Sequence, residues 1–105
     1  EDISLVGASV GANLALVYAK DHPVDKLLLL SPSTRSRGVD ISRLSYKKPL
    51  LIQVGHYDAF SSISVDELEL NLPKARVMEY DSSAHGTDLL NYDLSAKEDF
   101  LFYLG

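Results

Sequence analysis

Three residue types that together perform acyl transfer stand far apart in this chain. Ser9 lies between Gly7 and Gly11, Asp58 ends the segment GHYD, and His85 lies in DSSAHGTD. A serine hydroxyl is a weak nucleophile, so it needs a histidine that takes its proton and later gives it to the leaving group. A carboxylate beside the histidine orients the ring and stabilises its protonated form. The set predicts nucleophilic catalysis with Ser9 as nucleophile, His85 as base and Asp58 as orienting acid.

Four short apolar runs predict the strands that would position these residues, at 3–6, 26–30, 49–55 and 75–80. The runs at 26–30 and 49–55 are continuously apolar, which is typical of strands covered on both faces. Helices are predicted over 9–20, over 64–71 and from Ser95 to Leu104. This alternation of strands and helices predicts the α/β class, with parallel strands and right-handed crossovers.

Local signals define the first two helices. Leu14, Val17 and Tyr18 recur at helical spacing with alanines between them, a pattern that predicts a first helix packed closely on the sheet through this face. Ser64 and Glu67 have the spacing of a capping box and predict the start of the second helix.

The predicted strands bring the chemical residues to one edge of the sheet. Functional residues of an open parallel sheet gather on loops at the carboxyl ends of the strands, and Ser9, Asp58 and His85 lie on three such loops. The loop at 31–48 contains five of the ten basic residues. It is interpreted either as a solvated segment or as an attraction for an anionic substrate. These cations are Arg35, Arg37, Arg43, Lys47 and Lys48.

The sequence contexts of the three residues carry a family resemblance. The motif G-x-S-x-G stands at 7–11 between a predicted strand and helix, G-x-x-D stands at 55–58, and a histidine–glycine pair stands at 85–86. These motifs resemble the carboxyl-terminal half of the α/β-hydrolase superfamily, from the nucleophile elbow to the catalytic histidine. At such an elbow, Gly7 and Gly11 are expected to prevent collisions, and the amide of Val10 is placed to donate to an oxyanion.

The resemblance implies a partial α/β-hydrolase fold. We expect about four parallel strands with crossover helices, in a three-layer sandwich that is incompletely covered. Residues 1–105 are predicted to be a single domain, the carboxyl-terminal part of a larger α/β-hydrolase domain whose earlier strands supply the second oxyanion donor. The strand at 3–6 would then be a bare edge, and apolar surface of 26–30 and 49–55 would face water. The chain by itself is expected to be marginally stable and weakly active or inactive.

The predicted function is that of a serine hydrolase that cleaves carboxylic esters through an acyl-enzyme. A peptidase or thioesterase with the same triad, and a non-catalytic domain of this fold, stay open as alternatives. His56 is a weaker candidate for the base, and four acidic residues are weaker candidates for the acid: Asp66, Glu67, Asp81 and Asp88. His22 is interpreted as a solvated turn residue. Tyr46, Tyr57 and Phe60 are interpreted either as an acyl pocket or as packing residues.

Composition limits the partners. The net charge is −5, so no nucleic acid partner is expected, and the chain has no cysteine for a thiolate site. No apolar run approaches the roughly 20 residues of a transmembrane helix, so we expect a soluble protein, cytoplasmic or exported. The expected partner is a small-molecule ester or acyl substrate, with no metal or organic cofactor.

Overall fold

A four-stranded parallel sheet organises residues 2–105, which are the residues that the computed structural model describes. Its strands, in spatial order, are β1 (Ser4–Ala8), β2 (Lys26–Leu30), β5 (Leu50–Gly55) and β6 (Ala75–Tyr80). A small antiparallel hairpin of β3 (Arg35–Ser36) and β4 (Val39–Asp40) lies between β2 and β5 in the chain. The α/β class predicted from the sequence is confirmed.

Within residues 2–105, four helices flank the sheet, and they divide into two pairs. They are α1 (Val10–Asp21), α2 (Ala59–Leu68), α3 (Asp88–Tyr92) and α4 (Leu94–Leu104), with a 3-10 turn at Glu69–Asn71 after α2. Residues of α1 and α2 share one apolar cluster with one face of the sheet, whereas residues of α3 and α4 share a second cluster with the other face. The result is three layers.

The central strands are completely covered. Successive residues of a strand point to opposite faces, so Leu27 and Leu29 enter the first cluster while Leu28 and Leu30 enter the second. The apolar side chains of β2 and β5 are at most 2% exposed. The expectation that these strands would face water is therefore wrong. That expectation assumed that only the last helix covers the second face of the sheet. The helix α3 was not predicted, and it contributes the fully buried Leu89 to that face.

The sheet is incompletely covered at β1, which is one of its two edge strands. Within residues 2–105, β1 pairs with β2 alone, and Ile3 and Val6 are 49% and 39% exposed. The bare edge expected from the sequence is present in this part of the chain.

The packing face of α1 differs from the predicted one. Leu14, Val17 and Tyr18 are exposed, and α1 instead buries Leu16 together with three alanines, Ala12, Ala15 and Ala19. Small side chains allow the helix to approach the sheet closely, and this close contact decides which face is buried. The larger apolar residues point away.

α1 begins one residue later than predicted, and two further helices begin at residues other than those predicted. α2 begins at Ala59, directly after Asp58, so the buried Ser64 lies inside the helix and does not cap it. α4 begins at Leu94, where the carboxylate of Asp93 accepts a hydrogen bond from the amide of Ala96. None of the helices in the described part of the chain has the length and apolar character that crossing a bilayer requires.

Candidate functional site

Ser9 occupies a strained turn between β1 and α1. Its backbone has φ 57° and ψ −121°, a combination that residues other than glycine rarely adopt. The Ser9 amide donates to the carbonyl of Leu30 at 2.9 Å, and the Ser9 carbonyl accepts from the amide of Ala12 at 3.0 Å. These bonds to β2 and α1 hold the strained residue at the carboxyl edge of the sheet.

The two glycines that flank Ser9 have different environments. A Cβ at Gly7 would contact the carbonyl oxygen of Gly11 and would lie only 2.6 Å from the Gly11 carbonyl carbon and 2.8 Å from Ala12 Cα. A Cβ at Gly11 would have nothing within 4 Å. The expected collision therefore exists at Gly7, and the same expectation is wrong at Gly11.

The side chains of Ser9, His85 and Asp58 form a hydrogen-bonded chain. His85 Nε2 lies 2.8 Å from Ser9 Oγ, and His85 Nδ1 lies 2.6 Å from Asp58 Oδ2. An ionised carboxylate only accepts, so Nδ1 carries the proton, and the Nε2 of a neutral ring then accepts from the serine hydroxyl. The Asp58 side chain is 12% exposed and that of His85 is 49% exposed. The acid is thus largely covered, while the imidazole is open to solvent on one side.

Asp58 is held by close contact between two loops. The Asp58 amide donates to the Gly55 carbonyl at 3.1 Å, and the Tyr57 amide donates to the Ser82 carbonyl at 3.0 Å. A Cβ at Gly55 would contact the carbonyl oxygen of Ser82 and would lie 3.2 Å from that of Ala84. Asp58 occupies the cap position of α2 without capping it, and its carboxylate turns to His85. The absence of a side chain at Gly55 lets the acid loop pack against the loop that leads to His85.

The loop of His85 is also tied to the end of β2. Gly86 has φ 63°, in the left-handed region that favours glycine, and its buried amide donates to Ser31 Oγ at 2.9 Å. Ser31 was not among the predicted site residues. Its signal in the sequence was a polar residue directly after four consecutive leucines, at the end of a buried strand.

A buried asparagine, also not predicted, fixes the segment that follows Ser31. Asn13 of α1 is fully buried, and its Nδ2 donates to the carbonyls of Ser33 and Val39 at 2.9 and 3.0 Å. Its Oδ1 accepts from the Ser33 amide at 3.2 Å. One side chain therefore fastens the loop after β2 to the helix that begins next to Ser9.

The other histidines have other partners. His56 Nδ1 lies 3.1 Å from Glu79 Oε2, and both side chains are largely exposed. His22 lies at the end of α1, where its ring stacks on Tyr18 at 4.1 Å. The weaker acid candidates are all exposed: Asp66, Glu67, Asp81 and Asp88.

Two of the five basic residues of 31–48, Lys47 and Lys48, lie away from Ser9. Arg35 pairs with Asp40 across the β3–β4 hairpin at 2.8 Å. Lys47 and Lys48 precede β5 and therefore lie at the amino edge of the sheet, where they line a cavity of about 300 Å³ with Lys20. Lys47 and Lys48 thus lie at the edge of the sheet opposite to Ser9, His85 and Asp58.

One of the three aromatic candidates for an acyl pocket is buried, and the other two are exposed. Tyr46 is 4% exposed and belongs to the apolar cluster of α1 and α2, so the packing interpretation is correct for it. Tyr57 and Phe60 are 63% and 65% exposed on either side of Asp58 in sequence. Phe60 and Ile63 line a cavity of about 270 Å³ between α2 and Thr34.

No protein-family model, curated protein or solved structure gives a significant match to the chain. Residues 2–105 contain no group of three or more histidine, aspartate or glutamate side chains arranged to hold a metal ion. The interpretation of the site therefore depends on its own geometry.

Proposed function

We propose that the protein is a serine hydrolase of the α/β-hydrolase type that cleaves carboxylic esters through an acyl-enzyme. The observation that carries the proposal is the hydrogen-bonded chain Ser9–His85–Asp58, with bonds of 2.8 and 2.6 Å, at a strained strand-to-helix turn. Parallel β1, β5 and β6 precede Ser9, Asp58 and His85 respectively, and this order supports the family resemblance.

In the first step, Ser9 Oγ attacks the ester carbonyl carbon and its proton passes to His85 Nε2. Asp58, which accepts from Nδ1, stabilises the imidazolium that forms. The carbonyl oxygen becomes an oxyanion in a tetrahedral intermediate. Val10 is the first residue of α1, so its amide has no acceptor within the helix and can donate to the oxyanion. The helix dipole also favours negative charge at this end of α1.

In the second step, the intermediate collapses and the alcohol leaves with the proton from His85. Ser9 then carries the acyl group as an ester. Water, deprotonated by His85 Nε2, attacks this ester, and return of the proton to Ser9 Oγ releases the carboxylic acid. An ester makes a smaller demand on general acid catalysis than an amide does, because an alkoxide is a far better leaving group than an amide anion, and the imidazolium supplies one proton to either.

Labelling with a fluorophosphonate probe tests the proposal. The probe should form a covalent adduct at Ser9, located by peptide mass analysis, and Ser9→Ala and His85→Ala should abolish it. Asp58→Asn should slow ester turnover on the order of 10⁴-fold, because the neutral amide favours the wrong histidine tautomer. His56→Ala, which removes an exposed histidine at the same edge, is the matched control and should label normally.

A panel of p-nitrophenyl esters, peptide amides and acyl thioesters then assigns the acyl donor. Turnover of the esters alone supports the proposal, and preferential turnover of amides or thioesters replaces it with a peptidase or a thioesterase. Absence of labelling refutes the proposal as a whole when it is found both for residues 1–105 alone and for the larger domain that the family resemblance implies.

A further inference from the structure

The residue that follows β2, Ser31, makes contacts with several segments around the site. Ser31 is 1% exposed, and its Oγ accepts from the amide of Gly86 at 2.9 Å. Its own amide donates to the carbonyl of Gln53 at 2.9 Å, and its carbonyl accepts from the hydroxyl of Ser61 at 3.4 Å. The carbonyl of the preceding residue, Leu30, accepts from the amide of Ser9.

These partners belong to the segments that carry the three proposed catalytic side chains. Gly86 follows His85 directly. Gln53 lies in β5, which leads to Asp58, and Ser61 lies in the first turns of α2, which follows Asp58. Residues 30–31 therefore connect the nucleophile, the acid segment and the histidine loop at the end of a single buried strand.

We propose that Ser31 is a positioning residue for His85. Its hydroxyl holds the amide of Gly86, and through the backbone it holds the imidazole in line between Ser9 and Asp58. The proposal rests on the proposed function for its kinetic readout. Ser31 is not a catalytic residue, because its hydroxyl bonds to backbone and to no reacting atom.

The backbone conformations of Ser31 and Gly86 support a specific role for the hydrogen bond between them. Ser31 has φ 51° and Gly86 has φ 63°, so both residues lie in the left-handed region. A serine adopts this conformation at a cost that neighbouring interactions must offset. The Gly86 amide is buried, and a buried N–H without an acceptor is unfavourable, so removal of the hydroxyl should let the histidine loop move to a new position.

The deciding variant is Ser31→Gly, because glycine loses the hydroxyl but adopts the same φ without strain. We expect kcat for a p-nitrophenyl ester to fall by about 10- to 100-fold, with KM changed less than about twofold, since small misplacements of a catalytic group have effects of this size. Ser31→Ala should show the same loss of kcat. It should also melt at a lower temperature than Ser31→Gly, because alanine is strained at this φ.

Ser33→Ala is the matched control. Ser33 is also a buried serine of the same loop, but its hydroxyl donates to the carbonyl of Arg35 within that loop. We expect its kcat to equal that of the unmodified protein. A loss of kcat shared by two Ser31 variants of different stability, and absent from Ser33→Ala, separates positioning from general destabilisation.

Magnetic resonance supplies a readout that does not depend on turnover. In Ser31→Gly the amide of Gly86 should exchange with solvent faster, and the downfield signal of the proton between His85 and Asp58 should weaken. Unchanged kcat, or unchanged exchange and proton signal, in both Ser31 variants would overturn the positioning role. If neither residues 1–105 nor the larger domain that the family resemblance implies turns over an ester, the proposed function fails, and these two signals still decide the role of Ser31.

Discussion

The two glycines beside Ser9 should respond in opposite ways to replacement by alanine. In Gly7→Ala, the new Cβ would lie 2.6 Å from the Gly11 carbonyl carbon and 2.8 Å from Ala12 Cα, where ordinary contact requires at least 3.4 Å. Both neighbours are backbone atoms of the first turn of α1 and cannot rotate away. β1 and α1 must therefore separate by roughly 0.5–1 Å, which should destabilise the protein by about 1–3 kcal/mol.

Gly11→Ala introduces the same methyl group into open space. Nothing lies within 4 Å of a Cβ at Gly11, and this residue already belongs to α1. Alanine reduces the conformational freedom of the unfolded chain and favours the helix, so the variant should be more stable by about 0.4–1 kcal/mol.

Urea denaturation of the two variants measures the difference directly. We expect their free energies of unfolding to differ by about 1.5–4 kcal/mol, and their melting temperatures to differ by roughly 6 °C or more. If both variants are destabilised equally, or if Gly7→Ala is as stable as the unmodified protein, then the close contact between β1 and α1 does not exist as described.

Two further predictions concern the acid loop and the response to alkali. Gly55→Ala should slow fluorophosphonate labelling about 10²-fold, because its Cβ would contact the Ser82 carbonyl and displace the loop leading to His85; an unchanged labelling rate would contradict this. Burial, reinforced by Asp99, raises the pKa of Tyr80 to about 12. The unfolded chain therefore loses this proton first, near pH 10, so stability present below pH 10 should fall as the pH rises towards 12. Urea titrations between pH 9 and 12 should show this slope, and it should be weaker in Tyr80→Phe.

The sequence predicted the two central strands well for a physical reason. β2 and β5 are buried on both faces, so their residues are continuously apolar, and the runs at 26–30 and 49–55 match the strands within one residue. A strand that is buried on both faces is apolar at every position, so a continuous apolar run identifies it. This prediction does not require knowledge of the segments that pack against the strand.

The start of α2 and the packing face of α1 were predicted wrongly, because both depend on tertiary contacts that the local sequence does not show. The spacing of Ser64 and Glu67 is local and satisfies a capping pattern, but α2 begins at Ala59 because β5 ends and the chain turns back over the sheet. Leu14, Val17 and Tyr18 satisfy helical periodicity equally well, yet the alanine face of α1 is the one that approaches the sheet. In both cases a tertiary contact selects between local patterns of similar quality.

The candidate site shows the same division. Ser9, Asp58 and His85 were selected by residue type and by their place after strands, and the structure has them within hydrogen-bond distance; their catalytic roles stay predictions. The contact of Ser31 with Gly86 joins residues 55 positions apart, and no periodicity or motif encodes it. Supporting contacts of this kind become visible only when the loops are seen together.

The positions of the contacts that hold the Ser9, His85 and Asp58 segments determine which part of the site is lost first when the chain is destabilised. The expectation of marginal stability was argued from exposed central strands and from the bare edge at β1. The central strands are buried, so the part of that argument that remains is the edge at β1. The hydrogen bonds that hold the backbone of the His85 and Asp58 loops involve residues at the ends of β2, β5 and β6. Fraying of β1 would displace Ser9 first, because Ser9 follows β1 directly. Loss of activity in a destabilised variant should therefore begin with the nucleophile, while the pair of His85 and Asp58 persists.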